Sequence, residues 1–190
     1  MEPPRPHFYY DLIDPLSYLM EREVTAVEAT HDVRFERVPF ELRPPPDPMI
    51  DPDGDPWRRR WTLAETLAER TGATLRRPAL VPWSRKAHEL VLHAVEIERA
   101  DEVRRGLFEL AFEKGADLGR VDVLVSFARS LGLDPSRTKA VLDVDRHAEA
   151  VAEAGRRARA AGVAGAPAAS VGDHVAQGFH NRDALVTLLG

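Results

Sequence analysis

His7-Phe8-Tyr9-Tyr10-Asp11-Leu12-Ile13-Asp14-Pro15-Leu16-Ser17-Tyr18-Leu19 changes backbone period in mid-course. The aromatic run His7 to Leu12 reads as a short buried strand. Asp14-Pro15 then opens a helix, with Asp as N-cap and Pro at the first helical position. Leu16, Leu19, Met20, Val24 and Val27 continue it with apolar residues at helical spacing. Val33 to Phe40 alternates and reads as a second strand. Strand, helix, strand at this separation predicts a right-handed βαβ unit with parallel strands.

Outward from that unit, Glu41 to Pro56 carries Pro44, Pro45, Pro46, Pro48, Pro52 and Pro56. Prolines remove backbone donors and fix φ, so the stretch is expected to be a stiff connector. From Trp57 to about Ala161 the pattern is helical. Ala87-Leu90-Val91-Ala94, Val103-Leu107-Leu110-Ala111 and Val121-Leu124-Val125-Ala128 follow the i, i+3, i+4 rule. Asp134-Pro135 starts another helix with the same cap chemistry as Asp14-Pro15, and a final one runs from near Arg146 to Ala161. Then the period returns to two. Ala168 to Val171 and His174 to Gln177 flank Gly172-Asp173 as a hairpin, and Asn181 caps a last helix through Leu189. The expected domains are 1–56 with 146–190, and a helical insertion at 57–145.

Composition narrows the function. The chain has 190 residues, 30% of them charged, and a net charge of −5, which argues against a dedicated nucleic-acid binder. No apolar run approaches the roughly 20 residues of a membrane span. The opening Met1-Glu2-Pro3-Pro4-Arg5-Pro6 lacks the basic-then-apolar pattern of a secretory leader, so a cytoplasmic location is expected. The cysteine count is zero. That excludes disulfides, thiolate nucleophiles and any dithiol cycle run by this chain.

Three motifs carry a resemblance. The segment from Phe8 to Leu19 resembles the strand-to-helix start of DsbA-like proteins, especially the FrnE-type branch and the 2-hydroxychromene-2-carboxylate isomerases with kappa-class glutathione transferases. Pro39-Phe40-Glu41-Leu42-Arg43-Pro44 is similar to the second-strand ending of that branch. Ala161-Gly162-Val163-Ala164-Gly165-Ala166-Pro167 is similar to its cis-proline loop. The resemblance implies an α/β thioredoxin-like fold with an all-helical insertion. It also implies thiol-disulfide oxidoreductase descent, but the positions of the Cys-x-x-Cys hold Asp14 and Ser17. A dithiol enzyme needs a low-pKa thiolate at the helix start and a resolving thiol one turn later. Neither is present.

What remains is binding or a different catalysis. By the resemblance, Asp14 and Ser17 occupy the catalytic positions. A carboxylate at 14 would repel an incoming thiolate by roughly a few kcal/mol at ~4 Å and an effective dielectric near 20. As a plain N-cap it would instead contribute about 0.5–2 kcal/mol. If the Ala166-Pro167 bond is cis, the Ala166 backbone could pair with an extended peptide or a small thiol such as glutathione, as an added strand would. Tyr18 and Trp83 are the aromatic candidates for a ligand cleft. His180 and Asn181 stand where the transferase branch holds a glutathione carboxylate, and a helix start suits one. The plainer reading, Asn181 as a cap and His180 as a surface loop, is the favoured one. His88 and His93 are off the i, i+4 spacing of a metal pair. Asp143, Asp145 and His147 read as cap residues, and Arg58-Arg59-Arg60 as a solvated face.

The sequence therefore predicts a cysteine-less member that binds a peptide or small thiol at the cis-proline loop. A glutathione-dependent isomerase or transferase, or a non-enzymatic holdase, are the alternatives. Whether the chain is an enzyme, and whether it forms a homodimer, is left open.

Overall fold

The computed structural model describes residues 4–190. The opening segment's Met1 to Pro3 lie outside them. The chain runs β1 (His7–Tyr10), α1 (Pro15–Thr30), β2 (Glu36–Pro39), α2 (Asp55–Thr71), α3 (Arg85–Val95), α4 (Ala100–Phe112), α5 (Val121–Ser130), α6 (Pro135–Asp143), α7 (Ala148–Ala160), β3 (Ala168–Val171), β4 (His174–Gln177) and α8 (Arg182–Leu189). The sheet has the order β2-β1-β3-β4. β1 is parallel to β2 and antiparallel to β3, which is antiparallel to β4.

The βαβ start is as read, but both strands are shorter. Pairing opens at His7↔Glu36. Upstream of His7 stands Pro6, whose nitrogen cannot donate, and its carbonyl takes the Glu36 N–H. Phe35 instead donates its N–H to Glu28 Oε1 at 2.7 Å, outside the ladder. β1 stops at Tyr10 because the Asp11 N–H turns to Ser17 Oγ and the Asp11 carbonyl accepts from Asp14. The connector is also shorter. Pro56 lies in the first turn of α2, where a missing N–H costs nothing. The stretch expected to be wholly helical is interrupted at 73–84, where Pro78 and Pro82 stand and Val81 bridges Ile50.

Alternation along β1 divides the core. Phe8 and Tyr10 face the large cluster built with α1, the insertion helices and Leu185 of α8. Tyr9 faces a smaller cluster with Phe40, Ala158, Val163, Ala166 and Ala168, under α7. The hairpin closes on Gly172, whose φ of +55° suits the reversal at the first turn position. A buried ion network crosses from the sheet side to the insertion. Glu21 of α1 accepts from Arg104 of α4 at 2.9 Å and faces Arg37 of β2 at 3.4 Å. Burial works against the charge on Arg104, but Glu21 beside it holds the guanidinium above its ordinary pKa. No helix among the described residues is long and apolar enough to cross a membrane.

Candidate functional site

The site forms where three loops meet the start of α1. Asp14, at φ −100°, caps the helix: its carboxylate accepts from Leu16 N at 3.4 Å, Ser17 N at 2.8 Å and Ser17 Oγ at 2.6 Å. Ser17 Oγ in turn accepts from Asp11 N at 3.2 Å. Both residues are fully buried. The Ser17 hydroxyl thus spends its proton on Asp14 and a lone pair on the backbone. The Ala166-Pro167 bond is cis, as is Pro45-Pro46. So the motif positions come together, yet neither catalytic candidate presents a free group.

Arg60, from α2, explains the closure. Its Nε donates to Asp14 Oδ1, and its Nη2 donates to the Ala166 carbonyl. Burial works against its charge, but the adjoining Asp14 carboxylate raises its pKa above the ordinary value. The same guanidinium therefore neutralises the residue at the first cysteine position and occupies the carbonyl of the cis-proline loop. Read from the sequence, Arg58-Arg59-Arg60 was a solvated face; Arg60 leaves it. It stands three residues after Trp57 and four before Ala64, both on the buried stripe of α2, whereas Arg58 and Arg59 do not. That spacing was the available signal.

Asp11 was also missed. Its buried carboxylate accepts from Leu42 N at 2.7 Å and from Ile13 N at 3.4 Å, tying the end of β1 to the chain beyond β2. His88 of α3, fully buried, brings Nε2 within 3.4 Å of the same carboxylate. An acid inside an otherwise apolar run was its only mark in the sequence.

The remaining candidates lie elsewhere. Tyr18 is buried against Phe112, donates to Glu113 Oε1 at 2.7 Å and borders a cavity of about 620 Å³ with Arg22, Arg105 and Phe108, away from Arg60. Trp83 donates its indole N–H to the Asp47 carbonyl at 2.8 Å and borders a separate 370 Å³ cavity. Asn181 Oδ1 accepts from Ala184 N at 3.0 Å as the cap of α8, and His180 Nδ1 lies 3.0 Å from the Gly178 carbonyl. These are the cap and loop roles read beside the ligand roles. The pocket that Arg60 does reach has a volume of about 580 Å³, between the Pro-rich connector and α2, with Leu42, Arg43, Met49, Ile50 and Trp57 in its walls.

A four-stranded sheet ordered 2-1-3-4, with a cis-proline loop facing a capped helix start, defines a thioredoxin-like domain. Residues 7–190 match the DSBA-like thioredoxin domain, and the chain belongs to that family. It is 28% identical over 180 residues to YwbO, an uncharacterized protein of Bacillus subtilis (strain 168), covering 92% of this chain and 90% of that one. It is similar in fold to a 2-hydroxychromene-2-carboxylate isomerase at 19% identity and a TM-score of 0.79, over 97% of this chain and 92% of that one. A probable DsbA oxidoreductase from Streptomyces coelicolor shares 18% identity at a TM-score of 0.81, over 98% and 88% of the two chains. The family is one of oxidoreductases, and this member has no cysteine.

Proposed function

We propose that the protein is a non-redox member of its family that binds a small anionic ligand of extended shape, a peptide or a low-molecular-weight thiol such as glutathione. The ligand lies in the Arg60 pocket, beside the cis-proline loop. One observation carries the reading. Arg60 holds Asp14 and Ala166 with Nε and Nη2, while its Nη1 has no hydrogen-bond partner among the described residues and the side chain lines the pocket. Arg43, exposed on the pocket wall, adds a second cation for a carboxylate. The Ala166 N–H of the cis-proline loop, buried and without a partner among the described residues, is the backbone donor that an opening of this edge would offer a ligand. A cytoplasmic location belongs to the same proposal.

The glutathione-dependent isomerase reading keeps one support. Arg60 cancels the charge of Asp14, which removes the repulsion that a bare carboxylate would exert on a thiolate. Calorimetric titration with glutathione and with S-methylglutathione separates the two readings. Binding of both, weakened by Arg43→Ala, is the expected result, because the carboxylates and not the sulfur are held. Binding of glutathione alone, together with turnover of 2-hydroxychromene-2-carboxylate, would favour the isomerase. No heat from either thiol compound or from a short acidic peptide at millimolar concentration would overturn the binding proposal.

A further inference from the structure

His93, Glu96 and His147 meet where the end of α3 faces the start of α7. Their ligand atoms lie within 4.8 Å of one another. His93 Nδ1 is 3.8 Å from Glu96 Oε2, and His147 Nε2 is 3.7 Å from Glu96 Oε1. Each of these two ring nitrogens is buried without a hydrogen-bond partner. His93 as a whole is 4% exposed. A buried nitrogen that makes no hydrogen bond is costly to leave so. Here two of them, one from α3 and one from the cap residue of α7, are aimed at one carboxylate.

We propose that this cluster binds a divalent transition metal of the zinc, cobalt or nickel class through His93, Glu96 and His147. The donor set is two imidazoles and one carboxylate. That set favours borderline metals over magnesium or calcium, which take oxygen ligands. Bond lengths of about 2.0–2.2 Å place the donors of a tetrahedral site about 3.4 Å apart, so the side chains close inward modestly on binding. Three protein ligands leave a coordination position to water. The spacing of His88 and His93 in the sequence pointed to no metal; the fold instead pairs His93 with a residue that reads as a cap.

Two neighbours compete for Glu96. Arg137 Nη2 lies 3.0 Å from its Oε2 and Arg146 Nη2 3.3 Å from its Oε1. Both guanidiniums are more than half exposed, so their pairs contribute little and exchange readily. The backbone supports the site from the other side. The His147 N–H donates to Glu89 Oε2 at 3.1 Å, and Glu89 is fully buried, so the start of α7 is fixed to α3. Glu98 and Asp145, at φ +58° and +54°, hold left-handed turns two residues from Glu96 and His147. A bound ion would brace the insertion against the helix that returns the chain to the sheet.

The test uses the full chain and cobalt(II) as the probe, read by its visible absorption and by calorimetry. One ion per chain is expected, and His147→Gln and Glu96→Gln should each weaken binding about tenfold or more, since even outer-shell changes cost about 10–100-fold. His174→Gln, on β4, should leave it unchanged. Removing the competing cations with Arg137→Ala and Arg146→Ala should tighten it, an effect that a purely structural ion cluster would not produce. If His147→Gln fails to fold, Glu96→Gln, on a partly exposed side chain, carries the test. No cobalt uptake by the wild type, or an affinity unmoved by both ligand variants, would overturn the site.

Discussion

At position 14 a carboxylate does two jobs that a cysteine could not. It satisfies the orphan amides of α1, and it anchors Arg60 against the cis-proline loop. The double substitution Asp14→Cys with Ser17→Cys tests what the backbone around it would support. The wild type, lacking any thiol, should show no disulfide exchange. The variant loses a cap and a charge-assisted pair, about 2–5 kcal/mol together, within reach of a domain whose stability is typically about 5–15 kcal/mol. The thiol introduced at position 14 would sit at a helix start beside Arg60, both of which favour the thiolate. Its absorbance titration should therefore fall below the free value of roughly 8.5. Adding Arg60→Met should move it back upward. An unperturbed thiol in a folded, disulfide-forming variant would show that the helix start contributes nothing to thiol activation.

The element scale shows what the sequence could and could not disclose. Pro and Gly punctuation, the Asp-Pro caps and the two-residue turn at Gly172-Asp173 are local, so β1-α1-β2, α6 and the terminal hairpin with α8 were readable. Strand ends were not. They depend on which partner group stands opposite, as with Pro6 and Glu36. Asp14, Ser17, Ala166 and Pro167 were placed by motif. Arg60, Asp11 and His88 were not, because burial of a charged side chain is decided by a partner distant in sequence.

Tyr18 illustrates the same dependence on a distant residue. It was a cleft candidate, yet it pins α1 to the end of α4 through Glu113. Burial, then the hydrogen bond and charge of Glu113, raise its phenol from 10.0 to about 12. For an acid whose folded pKa is raised, the stabilisation is whole below the unfolded value and is lost as pH rises through the folded one. Unfolding free energy measured by denaturant titration should thus fall between pH 10 and about 12. Tyr18→Phe should flatten that fall and cost about 1.5–3 kcal/mol at neutral pH, as expected of a hydrogen bond to a charged group. Equal slopes in both proteins would place the alkaline sensitivity elsewhere.

Across the whole molecule, the chain leaves the sheet after β2 and returns only through α7, so both described ends of the chain belong to the sheet side. β1 and β3 are antiparallel with His7 opposite Ser170. The His7 end of β1 leads to one terminus, and the Val171 end of β3 leads through β4 and α8 to the other. A tensile load applied to the two ends would accordingly reach this central pair from one and the same side. Once α8 and β4 have peeled away, the strands would part like a zip, one bond pair at a time, and not in shear. In an optical-trap experiment the first rupture should be weak and should precede extension of the helical insertion. A strong initial barrier, or early lengthening by the insertion, would contradict that mechanical order. A protein joined in this way gives at its ends long before it gives at its centre.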